Sequence, residues 1–346
     1  MPPVMRFEHI FAGLVLLGAA AAGAQALAPA PPPALGPEAA IPVTTTPLPL
    51  NRDDPAQLRL GGLKFLGAVQ IRSTDPRFGA ISGLRAGKPV AGGVQLLSVT
   101  DTGNWLAFTT VEVGDRLTGA ADARLAPLPQ PDGKPPLAKS DVDAEALEWD
   151  PETGMAMVAY EQDHRFAWFN MVAPDRLDTL PARTDHLTEM IGWAANSGAE
   201  ATALMPDGSR IAFAESLRHP DGSLVALLTR GGTTRTLAVT GVDGFSPTDA
   251  VALDATTLLV LHRRFSPLGG VGAAITRVDL APALTANPPA QPLPAALVAR
   301  WQPPLTVDNM EGLALTRVGN RRFLYVVSDD NLNSLQRTVL MKFELL

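Results

Sequence analysis

The sequence contains no cysteine. That removes thiol nucleophiles, Cys-ligated zinc, iron–sulfur clusters and disulfides together. Charged residues make up only 18% of the 346 positions, the formal net charge is −7, and no basic run stands out. Nucleic acid is therefore not an expected partner. No Gly-x-Ser-x-Gly elbow occurs, which excludes the common α/β-hydrolase esterase. No His-Glu-x-x-His occurs either, so a zincin site is excluded. What the chain does have is 30 glycines, 32 prolines and 46% hydrophobic residues. Breakers at that density suit many short strands joined by turns around a large core, and they work against long helices.

The N-terminus reads as an export signal over residues 1–26. Arg6 supplies the positive charge, Ile10 to Ala22 is apolar, and Ala24-Gln25-Ala26 gives small-x-small cleavage chemistry. The apolar run is too short to span a bilayer comfortably, and no other segment approaches a span. The expectation is a periplasmic or secreted monomer with no stable membrane insertion once the signal is removed. Residues 27–57 are rich in Ala, Pro and Thr and read as a disordered linker, with the folded domain over 58–346.

Within that domain one pattern recurs. It is clearest in "AEALEWDPETGMAMVAYEQDHRF" (144–166), "AEATALMPDGSRIAFAES" (199–216), "TDAVALDATTLLVLHRRF" (248–265) and "MEGLALTRVGNRRFLYVVSDDN" (310–331). A weaker copy is "ISGLRAGKPVAGGVQLLSVTDTGN" (81–104). Each copy has a polar residue, a short apolar strand, a turn, a second strand and a polar cluster. Repeats of this length built from strands predict an all-β fold, a β-propeller. The repeat count gives five blades, with six open if one blade has lost its signature. The strand count leaves the last repeat one strand short. A strand from Leu58 to Arg72 can supply it, closing the ring with both chain ends and removing an exposed sheet edge.

In an antiparallel hairpin the start of the first strand lies beside the end of the second. This pairs Glu145 with Glu161, Glu200 with Glu215, Glu311 with Asp329, Ser82 with Asp101, and Asp249 with His262 or Arg263. All of these ends fall on one face, and inner strands would crowd them round the mouth of the central channel. Converging carboxylates must protonate, pair with arginine or hold a cation. Asp101, Glu145, Glu200, Glu311, Asp329 and Asp330 are the candidate metal ligands, and hard oxygen donors suit Ca²⁺, with Mg²⁺ as the alternative. Glu161, His164, Arg165, Arg263 and Arg337 are the candidate catalytic residues. Glu161 would be the general base and the arginines would neutralise an anionic ester. "DVDAEALEWDPE" (141–152) has EF-hand oxygen spacing, but Ala146 stands where that loop needs glycine. The tryptophans read as packing between blades.

Asp101-Thr102-Gly103, Glu145-Ala146-Leu147, Glu161 with His164-Arg165, Phe245-Ser246-Pro247-Thr248 and Arg263-Arg264-Phe265 also resemble motifs of a known family. So do Val307-Asp308-Asn309-Met310-Glu311-Gly312 and Ser328-Asp329-Asp330-Asn331 with Gln336-Arg337-Thr338. The family is the bacterial "esterase-like activity of phytase" (phytase-like) proteins, and the resemblance covers about residues 58–346. It implies an exported propeller hydrolysing phosphate or other esters. The calcium-dependent propeller phytases would imply six blades and bound Ca²⁺. The chain is poor in lysine, which suits a simpler ester than a highly phosphorylated inositol. Two further readings stand beside the hydrolase: a non-catalytic propeller that binds a ligand or partner protein with a structural Ca²⁺, and a sugar-lactone hydrolase on a similar scaffold.

Overall fold

The computed structural model describes residues 37–134, 136, 138–171, 177–194, 197–266, 270–285 and 291–346. The expected signal segment, 1–26, lies outside them. The fold is all-β. Its strands form five antiparallel sheets, and the first strand of each repeat is the innermost of its blade. These inner strands are Ile81–Val90, Ala144–Asp150, Ala199–Leu204, Ser246–Ala252 and Asn309–Val318. Each packs on the next, and the fifth packs on the first, so the ring closes at five.

Blade 5 is completed from the other end of the chain. Its C-terminal strand Thr338–Leu345 pairs with Leu63–Ser73 along most of their lengths. The closure expected from the strand count is therefore present, and both edges of the sheet's central strands are hydrogen-bonded.

The stretch expected as disordered linker at 27–57 needs correction from about Ala39 onward. Val43–Leu48 adds a further strand to Leu63–Ser73 in blade 5, and Ala39–Ala40 pairs with the outermost strand of blade 1, Arg116–Pro127. This segment staples the last blade to the first. Ile41 and Leu50 are buried beside it. An outer strand needs only backbone partners and one buried face, so its Pro- and Thr-rich composition does not exclude it.

Five hydrophobic clusters account for the core, one at each seam between neighbouring blades. Because a blade is covered on both faces, its middle strands read as near-continuous apolar runs. Leu258 to Leu261 and Phe323 to Val327 are all buried. Trp105 of blade 1 meets Phe169 of blade 2 edge-on at 5.2 Å, and Trp301 of blade 4 lies 6.2 Å from Phe343 of blade 5. Where blades 5 and 1 touch nearest the axis, Gly312 allows the approach. A Cβ there would sit 2.7 Å from Leu84 Cβ and 2.6 Å from Val327 Cγ1.

Candidate functional site at the channel mouth

Every inner strand carries a β-bulge at the same height. The register slips by one residue at Ser82, Glu145, Glu200, Thr248 and Glu311. A bulge turns one side chain out of the alternating pattern and bends the strand. Here all five extra residues line one cavity of about 890 Å³ at the end of the channel. The polar start of each repeat is thus a device for aiming one side chain at the axis.

Asp101, Glu145, Glu200, Glu311, Asp329, Arg263 and Arg337 all line this cavity, as the hairpin argument expected. Their electrostatics divide by blade. Arg263 Nε lies 2.6 Å from Glu311 Oε1, and its Nη2 lies 3.2 Å from Glu215 Oε1. Arg337 pairs with Asp308 at 3.2 Å. Asp329 accepts from the Asn331 amide at 2.7 Å and from Asn309 Nδ2 at 3.4 Å. By contrast, the carboxylates of Asp101, Glu145 and Glu200 have no hydrogen-bond or ion-pair partner among the described residues. Those three come from blades 1 to 3; the paired acids that line the cavity, Asp308 and Glu311, belong to blade 5, and Arg263 reaches them from blade 4 while also holding Glu215 of blade 3.

Burial and mutual repulsion make these acids hard to ionise. Burial, then repulsion by Glu200, pushes Glu145 well above the usual carboxylate range; burial, then Glu215 and Glu311, does the same to Glu200. Burial pushes Glu311 up to about 8 against the pull of Arg263, and Asp329 up to about 7. Asp101 is pushed up to about 6, again chiefly by burial.

The remaining expected residues fall elsewhere. Glu161 stands beside Glu145, and carboxylate oxygens of Asp143, Glu145 and Glu161 lie within 4.8 Å of one another. Burial raises Glu161 above its ordinary range. His164 does not line the cavity. Its ring packs edge-on against Trp193 at 6.1 Å, and both ring nitrogens are buried without a hydrogen-bond partner among the described residues. Arg165 also points away from the mouth. Its guanidinium bonds Asp163 at 2.7 Å and the carbonyls of Ser140 and Asp141, and stacks 3.8 Å over the Tyr160 ring. Asp330 holds loops together: it accepts from the Ala80 amide at 3.2 Å, the Leu332 amide at 3.1 Å and Thr338 Oγ1 at 2.9 Å. Being next to a polar cluster in sequence does not decide whether a side chain faces the channel or a seam.

Asp249 needs correction too, because the bulged residue of blade 4 is Thr248. Asp249 pairs with Leu261 and points down the channel, where it meets Arg85. Arg85 Nη1 lies 2.9 Å from Asp249 Oδ2, and its Nη2 lies 2.5 Å from Glu148 Oε1. The same guanidinium donates to the carbonyls of Leu84, Thr202, Ala250 and Leu313. These four carbonyls are each two residues below the bulge of blades 1, 3, 4 and 5, and Glu148 supplies the contact from blade 2. One arginine therefore ties all five blades at the axis and plugs the channel below the mouth. Burial opposes its charge, but Asp249 and Glu148 outweigh that and hold its pKa above the ordinary arginine value. Burial pushes Asp249 up to about 7 despite Arg85. Sequence reasoning missed Arg85 and Glu148. The available signal was a charged residue inside a strand assigned to the axis, which is unaffordable without a partner.

The chain is thus a five-bladed propeller whose channel is plugged in the middle and opens at one end into an acidic pocket. Residues 76–332 match the family model described as "Phytase-like: Esterase-like activity of phytase", and the chain belongs to that family. No curated protein matches its sequence. Among solved structures it is similar to an α-L-arabinofuranosidase from Lactobacillus brevis, at 11% identity and a TM-score of 0.46, covering 78% of this chain and 92% of that one. It is also similar to the hydrazine synthase of Kuenenia stuttgartiensis, at 13% identity and a TM-score of 0.40, covering 74% and 78%. A third is the Malassezia sympodialis allergen Mala s 1, at 13% identity and a TM-score of 0.38, covering 81% and 88%.

Proposed function

We propose that the mouth is the active site of an exported hydrolase acting on small anionic esters with the help of a divalent cation, Ca²⁺ or Mg²⁺. The observation that carries this reading is the set of unpartnered carboxylates on blades 1 to 3. Glu200 is only 9% exposed and lines the cavity without a hydrogen bond or ion pair among the described residues; the nearest attraction, from Arg263, is shared with Glu311 and Glu215. A buried acid left in that state asks for a proton or a cation. The donors fit a hard cation, since all are carboxylate oxygens and three of them, from Asp143, Glu145 and Glu161, already converge. Asp143 and Glu145, with Glu200 and Asp101 beside the same mouth, are the residues that would hold it, which leaves Glu161 at the edge of the cluster as the base. When bound, the cation supplies charge to polarise the ester and acidify water.

The chain's own groups do the rest. Glu161, with its raised proton affinity, takes a proton from water and later returns one to the leaving group. Arg263 and Arg337 hold Glu311, Glu215 and Asp308 in place and present positive charge to an anion. The plug closes the far end, so substrate enters and product leaves by the same opening.

The test is hydrolysis of p-nitrophenyl phosphate, bis-p-nitrophenyl phosphate and p-nitrophenyl acetate, with EDTA and with added Ca²⁺. Turnover that EDTA abolishes, Ca²⁺ restores and Glu145→Gln removes is the expected result. A second reading has its own observation: all three arginines first expected to meet the ester, Arg165, Arg263 and Arg337, are paired with acids. That arrangement favours a non-catalytic propeller in which the cation is structural. No turnover of any substrate, with a Ca²⁺-dependent rise in melting temperature, would put this reading first. Export is part of the proposal; sequencing the N-terminus of periplasmic material tests it, and a chain still beginning at Met1 would sink it.

A further inference from the structure

The cavity has a second wall that the cation reading does not use. Phe265 is 70% exposed and is the one large aromatic left exposed among the described residues. Leu335 is 88% exposed, more than any other large hydrophobic side chain among them. Both line the mouth, with Val271 beside them. Single exposed apolar residues need no explanation, but two of the most exposed side chains sharing one polar cavity do.

Arg52 stands on the same rim. Unlike Arg263 and Arg337, it has no ion pair or hydrogen bond from its guanidinium among the described residues. Its backbone is nevertheless held in place. Asn51 bridges Leu305, the Thr306 amide donates to the Leu50 carbonyl at 2.7 Å, and Thr306 Oγ1 donates to the Pro49 carbonyl at 2.7 Å. The stapling segment therefore delivers one free cation to a fixed point beside blade 5.

We propose that the mouth selects an ester with a single anionic group and an apolar substituent, Arg52 reading the anion while the substituent lies on Phe265 and Leu335. The inference rests on the mouth being a small-ligand site and adds the ligand's chemistry. A single anion follows from the arithmetic of the wall: of three arginines lining the cavity, two are already neutralised by carboxylates. A polyanion would find one free guanidinium and a row of acids. An aryl or alkyl monoester finds charge and apolar surface side by side, which is the amphipathic contact that orients a ligand in a mostly pre-formed pocket. Arg52 is a specificity residue here, remote in role from the proton transfers assigned to Glu161.

The test uses phosphonates, which cannot be hydrolysed, so it reads binding alone. Calorimetry compares phenylphosphonate with methylphosphonate in Ca²⁺-containing buffer. Phenylphosphonate is expected to bind about tenfold more tightly, the order of magnitude for burying part of a ring. Phe265→Ser should erase that preference and leave methylphosphonate unchanged. Arg52→Ala should weaken both ligands several-fold and leave the preference intact. Equal binding of the two phosphonates, or an Arg52→Ala protein of unchanged melting temperature that binds both as before, overturns the proposal. The hydrolase reading fails separately: selective phenylphosphonate binding without turnover of p-nitrophenyl phosphate sinks catalysis alone. Turnover without any preference for the aryl ligand sinks this inference alone.

Discussion

Two layers of charge stand on the same five inner strands, two or three residues apart along the chain, and the fold treats them in opposite ways. In the lower layer Arg85 meets Glu148, Asp249 and four backbone carbonyls, and every guanidinium nitrogen has a partner. In the upper layer three carboxylates face a cavity with no hydrogen-bond or ion-pair partner among the described residues. Satisfied buried charge holds a structure in one arrangement, whereas unsatisfied buried charge is a standing cost. The difference marks the plug as architecture and is what supports the proposal of binding at the mouth.

The largest effect should come from breaking the plug. Arg85→Ala leaves two buried carboxylates unpaired and removes the donor for four inward carbonyls. The expected loss is about 3–5 kcal/mol, read as a lower urea midpoint. Replacing Arg85 and Glu148 together by methionine should recover only part of this, because the carbonyls of Thr202, Ala250 and Leu313 still lack that donor. Full recovery would mean that the ion cluster does not tie the blades.

The mouth should respond with the opposite sign. Glu200→Gln keeps the shape and removes a group that must hold a proton or an unpaired charge when buried. The cation-free protein at alkaline pH, where an unfolded carboxyl is ionised, is therefore expected to gain about 0.5–2 kcal/mol. The same change should weaken the rise in melting temperature caused by Ca²⁺. Loss of stability in Glu200→Gln, like that in Arg85→Ala, would erase the distinction between the layers.

Much of this was legible in the sequence, and the parts that were not share a cause. The repeat spacing gave the blades and the five-fold count, and the unpaired last repeat gave the closing strand. The glutamate before each apolar run marked the bulge in three blades, because a strand bends there whatever packs around it. Thr248 was misplaced by one residue because Asp249, the stronger ligand, stood next to it. The Arg85–Asp249 pair joins residues 164 positions apart, and no local pattern announces such a contact. The outer strand at Val43–Leu48 escaped notice because backbone pairing, more than apolar content, holds it. Arg165 and Asp330 carry the right chemistry in the right loops, yet rotation about their strands turns them to a seam.

The finest probe of the two layers is the pH dependence of stability. Unfolded carboxyls titrate near 4. In the folded chain burial holds Asp101 up to about 6, Asp329 up to about 7 and Glu311 up to about 8. Between about pH 4 and 8 the folded state therefore keeps protons that the unfolded state has lost, and stability falls as pH rises. The drop expected in EDTA is several kcal/mol, measured as urea midpoints from pH 5 to pH 8. Asp249 in the plug, pushed up to about 7, contributes to the same fall. Added Ca²⁺ separates the two contributions. It competes with protons only at the mouth, so it should flatten most of the slope and release protons as it binds. A slope that Ca²⁺ leaves untouched would move the titration to the plug. The acids of the mouth would then be held by something other than a cation.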